Sequence, residues 1–125
     1  MRNEEPKPSD PLREQSISFA LRIVKLCRYL QDEYQKYVLS RQLLRSGTSI
    51  GALIAEAKFA QSKADFLNKL MIALKETNET IYWIDLLYHS EYLSRAMHQS
   101  LLPDAESLLK ILIASTKTIK EDIAQ

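Results

Sequence analysis

Glu76 and Glu79 stand three residues apart, His89 and His98 nine apart, and Cys27 is alone of its kind. These are the side chains of the chain with the clearest chemical potential beyond packing. A di-metal centre in a helical protein takes Glu-x-x-His pairs that project inward. Neither histidine follows a glutamate by three positions, so Glu76 and Glu79 read as ion-pairing, solvated groups. The chain is read as lacking both a phosphate loop and a Gly-x-Ser-x-Gly nucleophile elbow. Cys27 falls on the apolar stripe of a helix, where it reads as a small core residue. It has no partner for an intramolecular disulfide. The expectation is a protein that is not an enzyme and needs no metal or cofactor.

Two other patterns carry more. Gly47 and Gly51 are the only glycines of the chain, four apart, and Ala55 continues their row. Each glycine inside a helix costs about 1 kcal/mol relative to alanine. The row therefore predicts close approach of another backbone, either inside the fold or across a subunit interface. Charge is uneven too. Residues 17–63 hold eight basic and three acidic residues, while residues 64–125 hold six basic and nine acidic ones. The basic half includes Arg22, Lys25, Arg28, Lys36, Arg41 and Arg45, and in an antiparallel helical arrangement Arg28, Lys36, Arg41 and Arg45 fall near the same pole as Tyr29, Tyr34, Tyr37, Tyr82, Trp83, Tyr88 and Tyr92. Cations neutralise phosphates and aromatic faces stack bases, so the six cations are the candidate nucleic-acid contacts. A solvated face with amphipathic aromatics at its end is the plainer alternative.

The elements that must position these groups read as helices. The 125 residues carry a net charge of +1, two glycines and four prolines. Few turn residues mean few, long elements, and near-neutral charge excludes both a basic coat protein and an acidic solvating tail. Residues 1–9 are polar with two prolines and predict a mobile tail ahead of a domain at 10–125. Asp10-Pro11 reads as N-cap and first helical residue of a helix reaching about Leu30. Its apolar set is Ile17, Ala20, Leu21, Val24, Cys27 and Leu30, with Phe19, Ile23 and Leu26 beside it. Residues 31–37 read as a connection. A second helix spans about Leu39 to Gln61. Ser62 and Asp65 form a capping box for a third helix from about Ala64 to Tyr88. Ser94 caps a short turn, and Pro103-Asp104 starts or kinks the last helix. Short connections between such helices imply an all-α, antiparallel up-down-up-down four-helix bundle. The predicted core takes Leu21, Val24, Ile50, Ile54, Leu70, Leu74, Leu108 and Leu112. No apolar run approaches membrane-spanning length and no leader pattern opens the chain, so a reduced, cytoplasmic setting is expected.

The run Gln42-Leu-Leu-Arg-Ser-Gly-Thr-Ser-Ile-Gly-Ala-Leu-Ile-Ala-Glu-Ala57 resembles the signature of the four helix bundle protein family. Genes of that family include those inside intervening sequences of bacterial 23S ribosomal RNA. The run from Asp65 to Thr80 is similar to the family's second characteristic stretch. The family commonly has Asn where Leu53 stands, and proline or glycine where Gly51 stands. The resemblance implies a small cytoplasmic bacterial bundle that assembles as a homopentamer. It also implies kinship with the accessory variability determinant of diversity-generating retroelements, which binds a reverse transcriptase and nucleic acid through basic surfaces. Together these predict a non-enzymatic, oligomeric adaptor associated with RNA or DNA. The alternative is a structural protein–protein interaction module that binds no nucleic acid.

Overall fold

Asp10 accepts a hydrogen bond from the Arg13 N–H at 3.1 Å, and the first helix starts at Pro11 as the pair predicts. The computed structural model describes residues 10–125; the tail predicted at residues 1–9 lies outside the described residues. Four helices follow one another: α1 (Pro11–Tyr34), α2 (Tyr37–Ala57), α3 (Lys63–His89) and α4 (Arg95–Ala124). Two-residue and five-residue connections force neighbours to run antiparallel. Each helix packs on the next and α4 closes on α1, so the architecture is an all-α up-down-up-down bundle.

The residues after Leu30 correct the sequence reading. The helix runs on through residues 31–34, and only Gln35 and Lys36 connect it to α2. Gln31 sustains the extra turn by donating from its amide to the Ser40 hydroxyl across the connection, 3.1 Å. Gln35 then ends the helix in the left-handed region, φ 53°, and returns its N–H to the Gln31 carbonyl. Ser62 caps α3 by accepting from the Asp65 N–H at 3.0 Å, and the Asp65 carboxylate takes the Gln61 N–H. Ser94 opens a helix of 30 residues, not a short turn, and Pro103 sits inside it. The ring removes one rung of the hydrogen-bond ladder without starting or ending the element.

The core is made by Phe19, Ile23 and Leu30 of α1, Leu43 and Ile50 of α2, Ile84 and Leu87 of α3, and Leu108 and Leu112 of α4. Ile54 and Leu70 are also buried as predicted, and Leu74 is half-buried at the rim. Leu21 and Val24 are corrections: both lie on the solvent face of α1, Leu21 60% exposed. The first helix carries two adjacent apolar stripes, and α2 and α4 converge on the one through Phe19, Ile23, Leu26 and Leu30. Six hydroxyl side chains are buried as well: Ser16, Ser40, Ser46, Thr77, Thr80 and Thr116. Each donates to a carbonyl three or four residues back, for example Thr77 to Ala73 at 2.8 Å, which removes the cost of an unpaired polar group. The Ser46 and Thr80 hydroxyls meet across α2 and α3 at 2.9 Å.

Candidate interaction surfaces

The six cations do not form one surface. Arg22, midway along α1, is tied to α4: it reaches Asp104 at 2.6 Å, the Ser100 carbonyl at 2.9 Å and the Ser100 hydroxyl at 2.7 Å. Arg45 is tied to α3, where it bonds Glu76 at 3.1 Å and also Glu79. The Glu79 hydrogen bond pushes the Arg45 guanidinium above its ordinary value, and the charge of Glu76 adds to it. Glu76 and Glu79 are thereby ion-pair groups. Among the described residues Lys25, Arg28, Lys36 and Arg41 have no carboxylate partner. Arg41 donates to the Tyr37 carbonyl of its own helix at 3.2 Å.

Lys36 holds its ammonium 4.8 Å above the Tyr92 ring. That ring belongs to a tyrosine cluster at the pole where α1 ends and α2 begins. Tyr34 packs edge-on against Tyr92 and against Tyr29, with centroids 5.1 and 5.9 Å apart. Interaction with the Tyr34 hydroxyl pushes the Tyr29 phenol above its ordinary value. Tyr88 stacks on His98 at 4.2 Å, and His98 bonds Asp85 at 2.8 Å. Tyr82 and Trp83 pair with each other, centroids 5.2 Å apart. The Tyr29, Tyr34 and Tyr92 rings thus join the helix ends at this pole, and Lys36 stands over one of them.

The glycine row faces α1. A Cβ on Gly47 would lie 2.9 Å from both Cγ atoms of Ile23, and one on Gly51 would lie 3.3 Å from the Ser16 Oγ. The close neighbour at Gly47 is a β-branched side chain, where the spacing predicts a backbone. Ala55 is exposed, and Leu53 is half-buried against the core. Residues 47–51, Gly-Thr-Ser-Ile-Gly, do spell Gly-x-Ser-x-Gly, against the expectation that the chain lacks this string. The string lies inside α2 and not on a strand-to-helix elbow, and Ser49 donates to the Ser46 carbonyl at 2.8 Å. Cys27 is buried, donates to the Ser40 carbonyl at 3.2 Å, and has its pKa pushed up to about 11 by desolvation.

Sequence reasoning missed one surface. Ile17, Leu21 and Val24, 44%, 60% and 38% exposed, form an apolar stripe on the outer face of α1, opposite the core. The sequence shows the stripe but cannot say which of two stripes is turned outward.

No metal-binding cluster occurs among the described residues, and no helix is long and apolar enough to cross a membrane. Fold and surfaces together define a small helical-bundle protein. The chain belongs to the 23S rRNA-intervening sequence protein family, whose model matches residues 12–114. A crystal structure of a protein of unknown function from the S23 ribosomal protein family of Bacteroides thetaiotaomicron is 51% identical. It superposes with a TM-score of 0.84 over 85% of this chain and 98% of that one. Neither description carries a catalytic activity. Comparison with curated proteins gives no match.

Proposed function

We propose that this chain is a non-enzymatic, cytoplasmic interaction module that self-associates through the outer face of α1. The stripe Ile17, Leu21 and Val24 carries the reading. Large aliphatic side chains at helical spacing, turned away from their own core, suit a helix–helix seam with another copy. The family resemblance sets the expected copy number at five. Sedimentation over a range of protein concentrations tests this. The parent should assemble, and Leu21→Glu should fall to the 14.4 kDa protomer with unchanged helicity. A parent that stays monomeric throughout overturns the reading.

A second reading is nucleic-acid association, RNA first. It is favoured by Lys25, Arg28, Lys36 and Arg41, which have no carboxylate partner among the described residues and include three near the tyrosine pole. Arg22 and Arg45 leave the contact set, because each is already neutralised by carboxylates. Each phosphate neutralised releases counterions, so affinity for a short fluorescent RNA should fall steeply with salt. Replacing Arg28, Lys36 and Arg41 with Gln should lower the logarithmic salt slope by up to about three. No binding by the parent at low salt rejects this reading and leaves the self-association reading standing.

A further inference from the structure

Pro103 divides α4, and the two parts are held to α1 differently. A proline has no N–H, so the Gln99 carbonyl, four residues back, loses its partner in the ladder. Arg22 of α1 braces this turn, donating to the Ser100 carbonyl at 2.9 Å, the Ser100 hydroxyl at 2.7 Å and the Asp104 carboxylate at 2.6 Å. After the proline, the Ser107 hydroxyl donates to Gln15 at 3.1 Å. Before it, among the described residues, Arg22 makes the only hydrogen bonds between α4 and α1. A hollow of about 560 Å³ lies there instead, with Lys25, Leu26 and Tyr29 on its α1 side and Met97 and Leu101 on its α4 side. Every α4 residue that lines it precedes Pro103. The approach to this part of α4 is irregular as well: Glu91 stands in the left-handed region, φ 70°.

We propose that residues 95–102 form a strap that bends away from α1 about Pro103, and that Arg22 is the latch that holds it down. An interior proline weakens the helix at one turn, so bending concentrates there. α3 keeps its hold on the strap, since His98 bonds Asp85 at 2.8 Å and stacks on Tyr88. The strap therefore rolls on α3 and parts from α1, and the α3–α4 hairpin survives the motion. The hollow beneath leaves the strap few partners on α1 to lose. Release is within reach of the solvent: the Arg22 and Asp104 side chains are 36% and 50% exposed, so salt screens the pair. High ionic strength thus loosens the strap and low ionic strength closes it. The strap lies on the α4 side of α1, away from the outward-facing Leu21 and Val24, so the device does not depend on self-association.

Amide hydrogen exchange of the full chain, at one fixed protein concentration, tests the latch. Arg22→Gln should speed exchange at residues 97–102 about two- to fivefold and leave residues 108–112 and α2 unchanged. Asp104→Asn, which removes the charge from the other side, should act in the same direction. Added salt should speed the same amides in the parent and have less effect in Arg22→Gln. Pro103→Ala makes the helix continuous, and in that background the Arg22→Gln effect should spread past position 103 into residues 108–112. Three results overturn the proposal: no change at residues 97–102, equal acceleration in all four helices, or acceleration that reaches residues 108–112 with the proline still in place.

Discussion

Replacing Gly47 with alanine sets two known effects against each other at one point. A helix-interior alanine is favoured over glycine by about 1 kcal/mol. The new methyl, however, would lie 2.9 Å from Cγ1 and from Cγ2 of Ile23 and 3.3 Å from its Cβ. Carbon atoms prefer about 3.5–4.0 Å, so both contacts are short by roughly 0.6 Å. Ile23 cannot swing aside: it is fully buried, and a β-branched side chain in a helix has essentially one χ1 rotamer. α1 and α2 must separate locally instead, at an overpacking cost of about 1–3 kcal/mol. The net expectation for Gly47→Ala is a loss of about 1 kcal/mol, or a melting temperature lower by about 4 °C. Gly51→Ala is the internal control. Its nearest neighbour is the Ser16 Oγ at 3.3 Å, a tight contact on a buried side chain, with Cβ at an ordinary 3.6 Å, so mild crowding should offset most of the roughly 1 kcal/mol gain in helix propensity and leave stability nearly unchanged. Urea unfolding at one fixed protein concentration reads both, since self-association would otherwise enter the comparison. In an Ile23→Ala background the Gly47→Ala cost should vanish. A Gly47→Ala protein as stable as the parent, or a cost that persists without Ile23, refutes the steric argument.

Leu112, fully buried, should cost on the order of 2–5 kcal/mol when cut to alanine, while half-buried Leu74 should cost roughly 1–2, both read by urea unfolding. Asp10 gains a hydrogen bond and ion pair from Lys58 and a hydrogen bond from the Arg13 N–H, which hold its carboxyl below the ordinary 3.8. Its contribution is therefore whole above that value and lost as pH falls through the lower folded one, so Asp10→Asn should flatten the melting-temperature profile in that acid window. Arg45→Gln should cost no more than about 1 kcal/mol, shrinking as salt rises, because the guanidinium is half exposed. A double-mutant cycle with Glu79→Gln should return most of that value as coupling.

The caps were the most legible part of the fold, because a cap is a local event. Asp10-Pro11, Ser62 with Asp65, and Ser94 each satisfy an amide within three residues and need no knowledge of the rest of the chain. Burial was legible only where a helix has one apolar face. In α1 the residues 17, 21 and 24 and the residues 19, 23, 26 and 30 are equally good stripes, and only the positions of α2 and α4 choose between them. The buried serines and threonines escape an apolar count, though their hydroxyls bond carbonyls of their own helix and make them acceptable core residues. Among the cations, the Arg45–Glu79 pair is open to sequence reasoning because α2 and α3 are consecutive. The Arg22–Asp104 pair depends on the register of α1 against α4, helices 82 positions apart at that point, and nothing local encodes it.

The sparse closure of α4 on α1 also has a kinetic meaning. Three of the four helix–helix packings join neighbours in sequence, so each can form by zipping a hairpin over a short loop at little entropic cost. The fourth closes the ends of the chain and is held by few side chains, Arg22 with Asp104 and Gln15 with Ser107 among them. A native-state hydrogen-exchange map should accordingly show the seam between α1 and α4 opening first, with the α1–α2 and α3–α4 hairpins each intact, at a free energy below that of global unfolding. The same opening would widen the hollow between α1 and α4 while leaving the tight Gly47–Ile23 contact shut.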